Sequence, residues 1–224
     1  MKKLAIILAG LLACTSAFAK PAYNGDLQVH VGVGFDSFAF SYTDEGYPFT
    51  GGAEAILFNL DAQSWNLFEL NDLISVGFMV GTDFGWGGAT RVTGLGYSST
   101  NSSNCKDAFH WNIIAAPAIA FSFKPVKIQC SLGFAVGLLP GFGTEFQGFK
   151  SYTSFPVTFG VVTEVQAKFF PDKKFSPLVG YRIQWTGASR VSLYDRDSKE
   201  QESYSTNNGY FSSGVLYLGA SLNW

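Results

Sequence analysis

Large apolar residues recur at every second position through most of this chain, with small or polar residues between them. A period of two is the signature of extended strands, whose successive side chains leave opposite faces. Eight segments carry the pattern: residues 27–42, 53–70, 73–86, 109–124, 127–139, 155–170, 176–187 and 212–224. Their connections alternate in length. Short turns fall near Asn71-Asp72, at Pro125-Val126 and at Pro171 to Lys174; long segments rich in Gly, Ser, Thr, Asn and Tyr span 43–52, 88–108, 140–154 and 188–211. An even number of strands joined in this way predicts an all-β fold, an eight-stranded antiparallel up-and-down transmembrane β-barrel, with both chain ends on the short-turn, periplasmic side.

The two faces differ in bulk. One carries Ile74, Val76, Phe78, Val80 and Phe84 in the third segment, Trp111, Ile113, Pro117, Phe121 and Phe123 in the fourth, and Leu216, Leu218, Leu222 and Trp224 in the last. The other carries Gly32, Gly34 and Asp36, then Gly77 and Gly81, Ser131 and Gly133, and Gly160 and Gly180. The interior of an eight-stranded barrel is just wide enough to be filled by side chains. The small set fits such a bore and the Phe and Trp set does not, so the bulky face is assigned to lipid. A soluble lipocalin-like barrel, apolar inside, is the alternative. His30, Asp61, Asp83, Glu164, Lys168 and Arg182 are then the polar candidates for the lumen. They could line a path or form a plug of paired charges, and the narrow bore favours the plug.

Turn placement predicts registers. With Pro125-Val126 as a two-residue turn, Ser122 faces Gln129, Phe121 faces Cys130 and Pro117 faces Phe134. With the last short turn centred on Lys173, Glu164 faces Arg182, which predicts an ion pair across neighbouring strands. The first segment is irregular. Its apolar face runs Val29, Val31, Val33, Phe35 and then moves to Phe38, Phe40 and Tyr42. A bulge near Asp36-Ser37 would re-aim those side chains; alternatively they stand above the bilayer.

Composition fits a membrane strand protein. Aromatics reach 17% and charged residues only 14%, with 25 glycines. Yet the apolar run Ile113 to Phe123 contains Pro117 and falls short of the roughly 18 residues that suggest a spanning helix. The N-terminus reads as a targeting segment: Lys2-Lys3, an apolar stretch from Leu4 to Ala13, and the A-x-A site Ala17-Phe18-Ala19. This predicts a signal peptide over 1–19 and an outer-membrane barrel domain over 20–224. Leu11-Leu12-Ala13-Cys14 offers a rival lipobox. Losing Lys2 and Lys3 from 15 basic residues against 17 acidic ones leaves an acidic exported chain, which argues against nucleic acid as a partner. Cys105, in the second outer connection, and Cys130, near the opposite rim, are placed too far apart to bridge.

No catalytic constellation emerges, and neither a cofactor nor a metal site is expected. The only histidines read His30-Val31-Gly32 and His110-Trp111-Asn112, without an adjacent serine to activate. His30 reads as a satisfied lumen residue and His110 as lying near the outer rim. The last outer segment is the most charged. Arg190, Tyr194, Asp195, Arg196 and Lys199 are its surface candidates.

The eight alternating segments, the short turns and the last strand, Leu218-Gly219-Ala220-Ser221-Leu222-Asn223-Trp224, together resemble the small outer-membrane barrels of the OmpX, OmpW and OmpA-transmembrane-domain type. The OmpW type is weakly preferred. The resemblance implies outer-membrane lipid as surroundings and the barrel-assembly machinery as a partner, with Leu222 and Trp224 as the recognition signal, although most members end in Phe. It also implies passage of small, hydrophobic solutes, for which Pro117 would mark a lateral opening because it removes a ladder donor. The readings in order are a narrow channel, a surface scaffold acting in adhesion, and a lipid-modifying membrane enzyme.

Overall fold

The computed structural model describes residues 23–94, 97–99, 105–146 and 149–224. The expected signal peptide, its cleavage site and Cys14 lie outside the described residues. The strands are β1 (Tyr23–Asp44), β2 (Tyr47–Glu69), β3 (Ile74–Gly94), β4 (Tyr97–Ser99), β5 (Cys105–Phe123), β6 (Val126–Phe146), β7 (Phe149–Ser154), β8 (Val157–Phe169), β9 (Phe175–Asp195) and β10 (Gln201–Asn223). β1 pairs antiparallel with both β2 and β10, so the sheet closes on itself. β7 and β8 are two parts of one wall strand broken at Phe155-Pro156, because β6 and β9 each pair with both. β4 is a short addition to β3. The wall is therefore eight antiparallel strands in up-and-down order, as the alternation predicts. Closure leaves no wall strand unpaired, which a lipid environment requires.

The bulky face points outward. Val29, Val31, Val33 and Phe35 on β1 are exposed, as are Leu216 and Leu218 on β10. Phe123, Phe169, Phe175 and Trp224 ring the periplasmic end of this apolar belt; Phe35, Phe58, Trp86, Phe159 and Trp185 ring the outer end. Paired aromatic girdles bounding an apolar band are the mark of a barrel in a bilayer.

The strands are much longer than the sequence suggests. β1, β2 and β10 have 22, 23 and 23 residues, whereas about 9–11 tilted residues cross a bilayer. The expected outer loops are largely strand. The 43–52 connection shrinks to a tight turn at Glu45-Gly46, both with positive φ (48° and 86°), as a two-residue hairpin turn demands. The 188–211 segment is a hairpin of β9 and β10 turning at 196–200.

This extension explains the irregular first segment. No bulge occurs at Asp36-Ser37, and the alternative expectation, a position above the bilayer, fits; the pairing with β10 shifts only higher up, between Ala39 and Tyr42. β1 pairs with β2 without interruption from Tyr23↔Phe68 to Asp44↔Tyr47. Phe38, Phe40 and Tyr42 keep the inward phase of His30 and Asp36. Above the belt they pack inside the barrel, where Phe38 meets Phe142, Phe155 and Phe211 at ring separations of 5.5, 6.4 and 5.1 Å. The outward positions there become Ser37, Ala39, Ser41 and Thr43. The environment outside the wall changes from lipid to water, and the apolar face changes sides with it.

Two registers can be compared with expectation. The β5–β6 turn is Lys124-Pro125, so Ser122 faces Lys127 and Phe121 faces Ile128. β-branched Val126 takes a ladder position, and Pro125, lacking an N–H, takes the turn. The shift is two residues, so no face inverts. Glu164 does face Arg182 across β8 and β9. Cys105 opens β5 inside the outer extension and pairs in register with Thr144, whereas Cys130 pairs with Ile119 far down the wall; no disulfide joins them.

Candidate functional site

Inside the belt, the bore is filled by layers of polar side chains together with a buried apolar cluster of Trp65, Leu67, Met79, Ile114 and Val162, so one tryptophan does fit the lumen, contrary to expectation. At the periplasmic end Lys168 pairs with Asp26 and donates to Asn223 Oδ1 (3.0 Å). The next layer is glutamine. Gln166 Nε2 donates to Gln28 Oε1 and to Gln129 Oε1 (both 2.9 Å), and Gln28 Nε2 donates to Gln129 Oε1 (3.2 Å). His30 Nε2 contacts Gln28 Oε1 (3.0 Å), and its ring stacks on Tyr217 at 4.4 Å. Tyr217 fits because Gly180 lies beneath its ring; a Cβ there would fall 2.4 Å from Cζ.

The central layer joins opposite walls. His30, Asp61, Asp83 and Asn112 share one register row across β1, β2, β3 and β5. Asp61 and Asp83 are thus direct cross-strand neighbours of like charge, a destabilising arrangement by itself. Arg182, from β9, spans the bore and donates through Nη2 to Asp61 Oδ1 (3.2 Å) and to Asp83 Oδ2. The expected Glu164–Arg182 ion pair does not form. Two adjacent carboxylates outcompete one, and Glu164 instead accepts from Gln63 Nε2 (2.9 Å) and Tyr217 OH (2.5 Å). His110 is not at the rim. It is fully buried, with Nδ1 2.6 Å from Asp36 Oδ2 and Nε2 3.5 Å from Asp83 Oδ2. Gln184 Nε2 donates to Asn112 Oδ1 (2.9 Å) beside it. Above this layer the aromatic cluster of Phe38, Phe142, Phe155 and Phe211 closes the bore.

Of the predicted lumen residues, His30, Asp61, Asp83, Glu164 and Arg182 therefore form one network, while Lys168 belongs to the periplasmic mouth. His110, Asp36 and Tyr217 complete the network. The period could have found His110, since its even position shares the face of Asn112, Ala116 and Ala118. Among the described residues no three His, Cys, Asp or Glu side chains are disposed to hold a metal.

The other candidates are dispersed. Pro117 faces outward on β5. The β5–β6 pairing skips it and Ala116, running from Ala115↔Phe134 to Ala118↔Ser131. The wall is tight there, because a Cβ on Gly133 would lie 2.3 Å from the Ala115 carbonyl oxygen. Trp224 N–H donates to Gly25 O (3.1 Å). The Trp224 ring covers Gly25 so closely that a Cβ there would fall 2.3 Å from Nε1, while Leu222 pairs with Leu27 and Phe175. Arg190 and Tyr194 lie on β9, and Asp195 ends it. Asp195 Oδ1 accepts from the Asp197 and Ser198 N–H groups (2.8 and 3.4 Å), and the Asp197 N–H in particular holds its carboxyl below the usual carboxylate range. Arg196 lies 5.9 Å from the Tyr152 ring centroid. Lys199 adopts φ 61° in the hairpin tip.

No protein-family model and no curated protein matches this sequence. Solved structures do match in fold. The outer-membrane protease OmpT from Escherichia coli superposes with a TM-score of 0.54 at 9% identity, covering 94% of this chain and 100% of that one. A major outer-membrane protein from Thermus thermophilus gives 0.53 at 11%, covering 91% and 100%. OprG from Pseudomonas aeruginosa gives 0.47 at 11%, covering 89% and 96%. At such identities the likeness establishes architecture alone: the chain has the closed, up-and-down β-barrel fold that the first two of these outer-membrane proteins share.

Proposed function

We propose that this protein is a closed barrel that carries a rigid β-structured platform on the outer face of the membrane and acts through that platform rather than as an aqueous pore. The observation that carries the reading is the Arg182–Asp61–Asp83 bridge. These side chains are 1% exposed and join opposite walls across the bore. The long strands above the belt support it, because they hold the Arg190–Lys199 tip on paired backbone instead of a mobile loop. In this reading the 1–19 segment exports the chain, and the Leu222–Trp224 end is what the assembly machinery engages. The barrel performs no catalysis; the protease activity of OmpT belongs to that protein.

Two measurements test the proposal. Liposomes containing the protein should swell no faster than empty ones in isotonic arabinose; faster swelling overturns the closed lumen. Cells displaying the full chain should adhere to host-cell monolayers, and cells displaying a barrel trimmed of residues 191–204 should not. Equal adherence overturns the platform.

A second reading rests on the pairing gap at Pro117. There β5 and β6 would part to pass a small hydrophobic solute sideways into the bilayer. Pro117→Ala would restore a ladder donor, so slower uptake of such a solute into liposomes than with the native protein supports a lateral route. Identical rates dispose of it.

A further inference from the structure

At one place above the apolar belt, β10 leaves the ladder on both sides. Facing β9, its register runs to Ser205↔Arg190 and resumes at Gly209↔Ala188, so Thr206, Asn207 and Asn208 stand against Ser189 alone. Facing β1, it runs to Thr206↔Tyr42 and resumes at Tyr210↔Ala39, so Asn207, Asn208 and Gly209 stand against Phe40 and Ser41. Extra residues on one strand are left unpaired and bulge from the sheet. Asn207 and Asn208 are exposed, at a level where the outside of β1 is already polar. Gly209 closes the bulge against β9. A Cβ on it would fall 2.7 Å from the Ala188 carbonyl oxygen, so this wall position keeps a glycine directly after Asn208. The chain has a second Asn-Gly pair, Asn24-Gly25, and its situation is the opposite. It lies in the uninterrupted β1–β2 ladder as Asn24↔Leu67 and Gly25↔Asn66. Gly25 is buried beneath the Trp224 ring, and its carbonyl oxygen accepts from the Trp224 N–H (3.1 Å).

We infer that Asn208 is a site of spontaneous covalent modification, converted by water to aspartate and isoaspartate, while Asn24 is protected by its pairing. The Gly209 backbone nitrogen attacks Asn208 Cγ and forms the N–Cγ bond of a cyclic imide. The Cγ–Nδ2 bond breaks, and that nitrogen leaves as ammonia with the proton lost from the Gly209 N–H. Water then opens the imide. Addition at Cγ gives aspartate on the original backbone; addition at the Asn208 carbonyl carbon gives isoaspartate, whose main chain runs through Cβ and Cγ. Glycine suits this closure because it has no Cβ to crowd the attack and turns its backbone freely. A strand paired along both edges is held extended, with its N–H groups committed to the ladder. Asn208 has no register partner on either side, and Gly209 has none towards β1. Either product adds a carboxylate to the outer hairpin of β9 and β10, so the molecule gains negative charge there as it ages. The site is independent of what the outer platform binds.

Peptide mass mapping of the folded full chain, aged in bilayers in mildly alkaline buffer, tests the site. The peptide holding Asn208 should gain the mass of an NH2-to-OH exchange, and isoaspartyl methyltransferase should label it. Asn208 should convert at least about tenfold faster than Asn24, which reacts only when its strand opens. In urea, where neither is paired, the two rates should converge. Asn208→Gln, whose longer side chain closes such a ring poorly, should abolish the mass gain and the label over the same period. Heat-modifiable gel mobility confirms that the variant is folded. Conversion of Asn208 no faster than that of Asn24 in the folded chain, a mass gain at Asn207 instead, or the same rate ratio in urea overturns the inference.

Discussion

Arg182 holds two neighbouring carboxylates that would otherwise repel, and it does so from the far wall of the bore. Removing one member of a buried ionic group leaves uncompensated charge and costs about 3–5 kcal/mol. Arg182→Met should therefore lower stability by about that amount in urea unfolding from lipid vesicles. Adding Asp61→Asn and Asp83→Asn to the same chain should recover most of it, whereas no recovery would mean that Arg182 acts mainly through packing. Gly180→Ala should drive Tyr217 off His30 and cost about 1–3 kcal/mol by the same assay; an unchanged midpoint would show that the ring relaxes freely. The members of this site were legible from period two because each sits on a lumen-facing position. Their partners were not. Sequence register finds neighbours along the wall, such as Glu164 and Arg182, but a contact across the bore depends on barrel diameter and side-chain reach.

Each wall strand serves two environments in succession. On β1, Val29 to Phe35 contact lipid outward while His30 and Asp36 fill the bore; beyond Ser37 the outward side becomes polar and Phe38 and Tyr42 turn in. The outer half thus has a core like that of a water-soluble domain. Phe38→Ala should cost about 3–5 kcal/mol and should make the outer hairpins protease-sensitive on whole cells while the membrane-embedded fragment survives. Uniform resistance would show that the outer half does not depend on this cluster. Strand identity and the short turns were readable from alternation, and the Lys124-Pro125 turn was misplaced by only one position. Strand ends were not readable, because Gly, Ser, Thr and Tyr suit an exposed sheet as well as a loop. Only the tight turn at Glu45-Gly46 and the inward aromatic phase distinguish the two.

The whole molecule is one closed sheet whose inside and outside exchange polarity at the outer edge of the membrane. Below that level the charged network, the glutamine layer and the apolar cluster around Trp65 fill the bore, and above it the aromatic cluster does. The side chains inside the wall are thereby packed on both sides of that level, and the strands continue well beyond the apolar belt. The phase of β1 tests this most directly. Single spin labels at residues 29 to 43, in protein reconstituted in bilayers, report oxygen from lipid and a water-soluble nickel complex from the aqueous phase. The account predicts oxygen access at Val29, Val31, Val33 and Phe35, nickel access at Ser37, Ser41 and Thr43, and protection from both at Phe38 and Tyr42. Oxygen access at Phe38, Phe40 and Tyr42 would mean that the strand slips phase and stays in lipid, and would contradict it.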